Sequence, residues 1–284
     1  MHGLIFMTWE KYLAERFGSP FLQAYRETIG EGIADIPLAN RLYDDALLFA
    51  GVGAAHQLSH LPVNTLLREY GRYFILNGLT NHLCMYILSE VHNGRDLLLS
   101  MRDSHARLRR TLDGLVPPLF DYEQASRPDE ITLLYESPRQ LCPILFGAIE
   151  GAAERYGQSV RVREQSCMKR GAQVCRFRAS FSAPRADFNR YDSPERESRR
   201  AVQKMLMKQI WVRLPEAGTV EGLTLKQIQD VLKRYHRTQA DQLRPAILVE
   251  ALSQLQFAGY VMSTATQVQD DFMNRHYWRV QRHL

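Results

Sequence analysis

Two consecutive prolines, Pro117-Pro118, divide the first part of the chain by period. Proline lacks a backbone donor and clashes with the preceding turn, so neither residue can lie inside a helix. Upstream, apolar residues recur at helical spacing over residues 9–17, where Gly18 stops the pattern, and over about 21–31, 38–54, 62–73, 80–91 and 97–111. Downstream the period shortens. Residues 131–135 predict a strand and 141–156 a helix, while 160–163 and 174–181 alternate like the arms of a hairpin. Helices first, then strands around one late helix, predict an α+β fold.

Proline, serine and mixed charge gather between residues 182 and 197. This predicts a linker at 183–196 between a first domain of residues 1–182 and a second of residues 197–284. The second domain opens on a helix predicted from about 195 to 213. Thr224, followed three residues later by Gln227, has the form of a capping box, and Leu225, Ile228, Val231 and Leu232 give the following helix an apolar face. A third helix, about 243–257, carries Ile247, Leu248, Ala251, Leu252 and Leu255 on one side. Two short strands, 259–262 and 276–280, close the chain around a polar loop. Three helices and then a small hairpin is the winged-helix order.

Composition removes several classes. Of the 284 residues, 45% are apolar and 24% charged, which excludes wholesale disorder. No apolar run approaches the roughly 18 residues that span a bilayer. The first six residues lack the basic segment and long apolar stretch of a secretory signal, so a cytoplasmic protein is expected. The net charge of +5 is compatible with nucleic acid contact without demanding it. In a reducing compartment Cys84, Cys142, Cys167 and Cys175 favour free thiols, a metal site or a redox switch. No kinase ATP motif, cyclase domain or Gly-x-Gly-x-x-Gly is present, and no enzyme is expected.

His105 stands in Asp103-Ser-His-Ala-Arg107, upstream of Pro118 and of Tyr135-Glu-Ser-Pro-Arg139. In extended backbone Tyr135, Ser137 and Arg139 project to one side, which gathers two hydroxyls and a guanidinium suited to carboxylates. These residues carry a resemblance. With Met1-His-Gly-Leu-Ile5, Trp9 and Arg68-Glu-Tyr-Gly71, the chain from residue 1 to about 181 resembles the haem nitric oxide/oxygen-binding (H-NOX) family. The resemblance implies haem b, with His105 as proximal iron ligand, Pro118 bending the porphyrin, and Tyr135, Ser137 and Arg139 clamping the propionates. Ile5, Trp9, Ile75 and Ile144 match distal positions. Ile144 stands where some members carry an oxygen-stabilising tyrosine, so nitric oxide sensing is expected, with weak dioxygen binding and carbon monoxide as a surrogate.

A subset of that family holds structural zinc with three cysteines and a histidine. Cys142, Cys167 and Cys175 match; the histidine position is Glu164, which leaves zinc, a redox switch and plain packed thiols all open. The runner-up resemblance is to vinyl-4-reductase-like domains, which bind small organic effectors and share the cysteine–glycine–cysteine ending. For the second domain, Arg234, Arg237, Gln242 and Arg244 are the candidates for DNA contact and hence transcriptional regulation. A signalling protein partner and a homodimer are the competing readings.

Overall fold

The computed structural model describes residues 1–30, 37–38, 41–88, 91–111, 115–123, 127–185, 194–235, 243–264 and 275–280. They fall into two compact units. The first comprises Met1–Asn81, Val91–Arg102 and Leu115–Phe188; the second comprises His82–Glu90, Asp103–Gly114 and Asn189–Leu284. The second unit therefore includes two segments that precede the proline-rich stretch.

In the first unit α1 (Gly3–Phe17) starts at His2, whose side chain accepts the Leu4 N–H at 3.3 Å. It ends at Gly18, which takes the positive φ of 92° that other residues avoid. Leu4, Trp9, Tyr12 and Leu13 make its buried face. It is followed by α2 (Ser19–Ile29), α3 (Asp45–Ser59) and α4 (Val63–Leu76). The helix predicted over 38–54 begins seven residues later than expected, because Asp44 caps it by accepting the Ala46 N–H at 2.9 Å. Tyr70 and Trp9 meet edge to face at 5.2 Å in the core that joins α1, α3 and α4.

A close crossing joins α4 to α8 (Cys142–Arg155). Small residues allow it. A Cβ on Gly147 would stand 1.8 Å from the Arg68 carbonyl oxygen, and one on Gly71 would stand 2.0 Å from that of Ile144. Ala152 is fully buried on the same helix. Arg68 chelates Glu150, and Arg72 Nε reaches Glu154 at 2.6 Å, which ties the two helices at their rim. Such exposed pairs contribute about 0.5 kcal/mol each, so apolar packing rather than charge holds the crossing.

Behind α8 lies an antiparallel sheet of four strands: β1 (Leu119–Glu123), β2 (Glu130–Glu136), β3 (Val160–Ser166) and β4 (Cys175–Phe181) in the order β1-β2-β4-β3. The pattern of β4, buried at every second residue from Cys175 to Phe181, turns one face to the core. The first strand was not legible as one: Leu119-Phe-Asp-Tyr-Glu123 buries only Phe120 and lies at an edge.

In the second unit the order is α9 (Pro194–Arg213), β5 (Leu223–Thr224), α10 (Leu225–Tyr235), α11 (Pro245–Phe257), β6 (Val261–Ser263) and β7 (His276–Arg279). The sheet order is β5-β7-β6, so the first strand pairs with the last. The capping box forms as expected: Gln227 N–H reaches the Thr224 hydroxyl at 3.3 Å, and the Gln227 side chain accepts the Thr224 N–H at 2.7 Å. Met207 and Ile210 from α9, Ile228 and Leu232 from α10, Leu248 and Leu252 from α11, and Tyr277 from β7 meet in its core. The remaining helices are α5 (Gly78–Leu83), α6 (Met85–Leu88) and α7 (Gly94–Thr111). Residues 94–102 of α7 belong to the first unit and 103–111 to the second.

Candidate functional site

The turn after β2 gathers the polar triad. Tyr135 and Ser137 are buried, and the Arg139 side chain is only 10% exposed. The Ser137 hydroxyl accepts the Arg139 N–H at 3.3 Å, and its carbonyl accepts the Gln140 N–H at 3.0 Å. Gln140 has a φ of 50°, the left-handed conformation that closes this turn. The guanidinium of Arg139 donates to Asp45 Oδ2 at 2.6 Å and to the carbonyl of Val116. That carbonyl lies two residues before Pro118, in the segment that enters β1. A buried guanidinium already gripping a carboxylate is a site whose donor set suits carboxylates. The residues thus fit the acidic edge of a haem.

Burial pushes the Tyr135 hydroxyl up to about 12, with the Ser137 hydroxyl partly offsetting it, so it stays a neutral donor. Asp45 responds the other way. Partial burial raises its pKa, but the hydrogen bonds from Arg139 and the Met1 ammonium outweigh this and hold the carboxyl below its ordinary range. Asp45 is the site residue that sequence reasoning missed. Its only sequence signal was the Asp44-Asp45 pair inside a segment read as uninterrupted helix.

Ile5 and Trp9 lie on α1, Ile75 on α4 and Ile144 on α8. Ile5 and Ile144 are partly buried against the core that contains Trp9, whose indole Nε1 is buried without a hydrogen-bond partner. The nearby Tyr70 hydroxyl is engaged: it lies 2.9 Å from the Ile5 carbonyl and 2.8 Å from the Thr8 hydroxyl, which itself donates to Leu4. His105 is half-buried on the second half of α7 and belongs to the second unit.

The three thiols lie beside the triad, because Tyr135 is the register partner of Cys175 and Cys142 starts α8 three residues after Arg139. The sulfurs of Cys142, Cys167 and Cys175 all lie within 4.8 Å of one another, and Cys142 and Cys167 are 3.7 Å apart. Zinc–sulfur bonds of about 2.3 Å at tetrahedral angles would separate two sulfurs by about 3.8 Å, so the spacing fits such an ion. Glu164 is not part of this group; its carboxylate pairs with Arg170 at 3.0 Å. Burial, followed by the neighbouring sulfurs of Cys175 and Cys167, pushes the Cys142 thiol up to about 12. Cys84 stands apart from the cluster and is half-buried.

Of the candidates for DNA contact, Arg234 and Arg244 are exposed, whereas Arg237 and Gln242 lie outside the described residues. Between them and the closing hairpin, α11 carries no lysine or arginine. Leu248, Ala251, Leu252, Gln254 and Leu255 are buried along it.

Residues 2–164 match the model of the Haem-NO-binding (HNOB) family. The chain belongs to that family. Haem-NO-binding relatives of known structure share the fold. The H-NOX protein of S. oneidensis in the Fe(II)NO ligation state is 21% identical with a TM-score of 0.57, over 64% of this chain and 99% of that one. The I5F mutant of T. Tengcongensis H-NOX is 22% identical with a TM-score of 0.58, over 65% and 99%. An oxygen-binding H-NOX domain related to soluble guanylate cyclases, in its oxygen complex, gives 22% and 0.58 over 66% and 99%. No curated protein matches the chain. The Haem-NO-binding match thus runs from α1 into β3, and the C-terminal residues have no counterpart in it. No described helix is long and apolar enough to cross a membrane.

Proposed function

We propose that the protein is a haem-based gas sensor in which Arg139, Tyr135 and Ser137 hold the propionates and His105 binds the iron. The observation that carries this reading is the buried Arg139 guanidinium, engaged with a carboxylate on a turn whose backbone Ser137 caps, inside a chain of the Haem-NO-binding family. When bound, haem supplies a ferrous iron that takes a diatomic gas. The chain's own residues set selectivity. Ile5, Ile75 and Ile144 offer no side-chain donor and the Tyr70 hydroxyl donates to the Ile5 carbonyl, so of the named distal positions only Trp9 presents a buried donor without a partner, its indole N–H. The three isoleucines favour nitric oxide, which needs little help from a hydrogen bond, over dioxygen. Pro118 stiffens the segment that Arg139 holds through Val116.

The output we infer is regulation of a protein partner rather than of DNA. The helix–strand–helix–helix–strand–strand order, with first strand paired to last, supports a winged-helix-like unit. Its α11, which would enter the major groove in a DNA reader, lacks basic residues and buries Leu248, Ala251, Leu252, Gln254 and Leu255 in the core. Zinc on Cys142, Cys167 and Cys175, with a fourth ligand from outside the trio, is the proposed role of the thiols.

Purified protein from haem-replete expression tests the sensor. A reduced Soret band that shifts on nitric oxide addition, lost in His105→Gly and restored by imidazole, is expected. Colourless protein that takes up no haem on reconstitution would overturn the reading, and a stable oxygenated spectrum in air would overturn the selectivity.

A further inference from the structure

Two residues beyond His105, Arg107 joins α7 to the end of α11, and both partners lie in the second unit. Its Nε donates to the carbonyl of Ala258 at 2.9 Å, and its guanidinium sits 4.6 Å from the centre of the Tyr260 ring. A hydrogen bond from Nη2 to the Ser104 hydroxyl at 3.1 Å steadies the side chain. Ala258 is the C-cap residue of α11, where carbonyls lack helical partners and a cation is favoured. Gly259, at a φ of 70°, admits the approach: a Cβ there would stand 2.5 Å from Arg107 Cβ and 3.0 Å from its backbone carbon. From Tyr260 the contacts continue inward. Its carbonyl accepts Trp211 Nε1 at 3.1 Å and the Val280 N–H at 2.9 Å, and its ring meets Trp211 edge to face. His82 Nε2 lies 3.6 Å from Glu250 Oε1, in the first half of the same helix.

Successive helical residues turn by about 100°, so His105 and Arg107 project about 200° apart, to opposite sides of α7. One side of the helix serves the histidine and the other side serves the latch. A displacement of α7 at His105 would carry Arg107 with it and so strain its hydrogen bond to Ala258 and its contact with the Tyr260 ring. We propose that Arg107 is the positioning residue that passes gas binding at the haem to the C-terminal elements, by opening or closing its contact with Ala258 and Tyr260. This deepens the sensor reading and rests on His105 binding the iron.

The test uses the full haem-loaded chain with and without nitric oxide, read by amide hydrogen exchange over residues 256–262 and by Trp211 fluorescence. In the wild type, nitric oxide should change exchange in that segment by about fivefold or more, the scale of ordinary allosteric coupling. In Arg107→Ala exchange should be fast in both states and insensitive to gas, while the Soret band and its nitric oxide shift stay as in the wild type. Tyr260→Leu, which removes the ring but leaves α7 intact, should blunt the response in the same way, and Tyr260→Phe should preserve it. A gas-dependent change that survives in both Arg107→Ala and Tyr260→Leu would overturn the latch. So would a wild type that binds nitric oxide at a His105-dependent haem without any change at 256–262. Failure to bind haem would instead overturn the sensor reading beneath it.

Discussion

Arg139 Nε and Asp45 Oδ2 meet at 2.6 Å across 94 residues of sequence, joining the turn after β2 to the first turn of α3. Asp45 Oδ1 also lies 3.0 Å from the Met1 ammonium, so one carboxylate ties three separate segments together. Removing its charge leaves a largely buried guanidinium facing neutral oxygens in place of a carboxylate. Asp45→Asn should therefore lower stability by about 1–3 kcal/mol, the range between exposed and buried pairs, in urea melts near neutral pH. The sign with pH follows from the depressed carboxyl. Its stabilisation is present above the ordinary carboxylate range and is lost as pH falls through its folded value, so the difference from Asp45→Asn should shrink in acid.

His2 supplies a second pH signature. Burial, and then the Met1 ammonium, lower its imidazole from 6.5 to about 4, and as a neutral ring it accepts the Leu4 N–H. The unfolded chain then binds the extra proton first. Stability should fall as pH drops from about 6.5 to about 4 and level off below, by about 3 kcal/mol at most. His2→Asn keeps an acceptor without a proton to gain, and its melts should show a correspondingly flatter slope across that window.

The α4–α8 crossing has no room for a methyl at Gly147. Since the obstacle is the backbone of Arg68 rather than a flexible side chain, Gly147→Ala should cost about 2–3 kcal/mol. Calorimetry on the two proteins would show it. An unchanged melting temperature would mean that the helices separate more easily than their interlocked glycines imply.

Buried thiols above their ordinary range are poor nucleophiles. Metal-free protein should react with a disulfide reagent at pH 8 at least tenfold more slowly at Cys142 than free cysteine does, on the order expected from its small thiolate fraction. Zinc must displace protons from the thiols that bind it, so uptake should strengthen as pH rises from about 6 to about 8, as read by competition with a chromogenic chelator. Cys142→Ser and Cys167→Ser should both lose that uptake.

Much of this arrangement was legible in the sequence because it is local. The capping box at Thr224 and the break at Pro117-Pro118 each declare themselves within a few residues, whereas the segment 135–139, expected to be extended throughout, leaves the strand after Glu136 and turns through Pro138 and Arg139. What stayed hidden was long-range. Nothing near Asp45 says that it meets Arg139, and nothing near Arg107 says that its partners are Ala258 and Tyr260. Residue spacing records which side chains share a face, but not which distant carbonyl or ring will meet that face. The Glu164 carboxylate is an instance: its place in the motif suggested a ligand, whereas it pairs with the Arg170 guanidinium.

The division of α7 between two compact units bears on how such a protein can be rebuilt. Residues 82–90 and 103–114 belong with the C-terminal part, not with the strands and helices that surround them in sequence. A hybrid that grafts a foreign tail after Phe181 would inherit an arginine with no carbonyl to grip. Swapping outputs between sensors of this type would require those two inner segments to travel with the tail they fit.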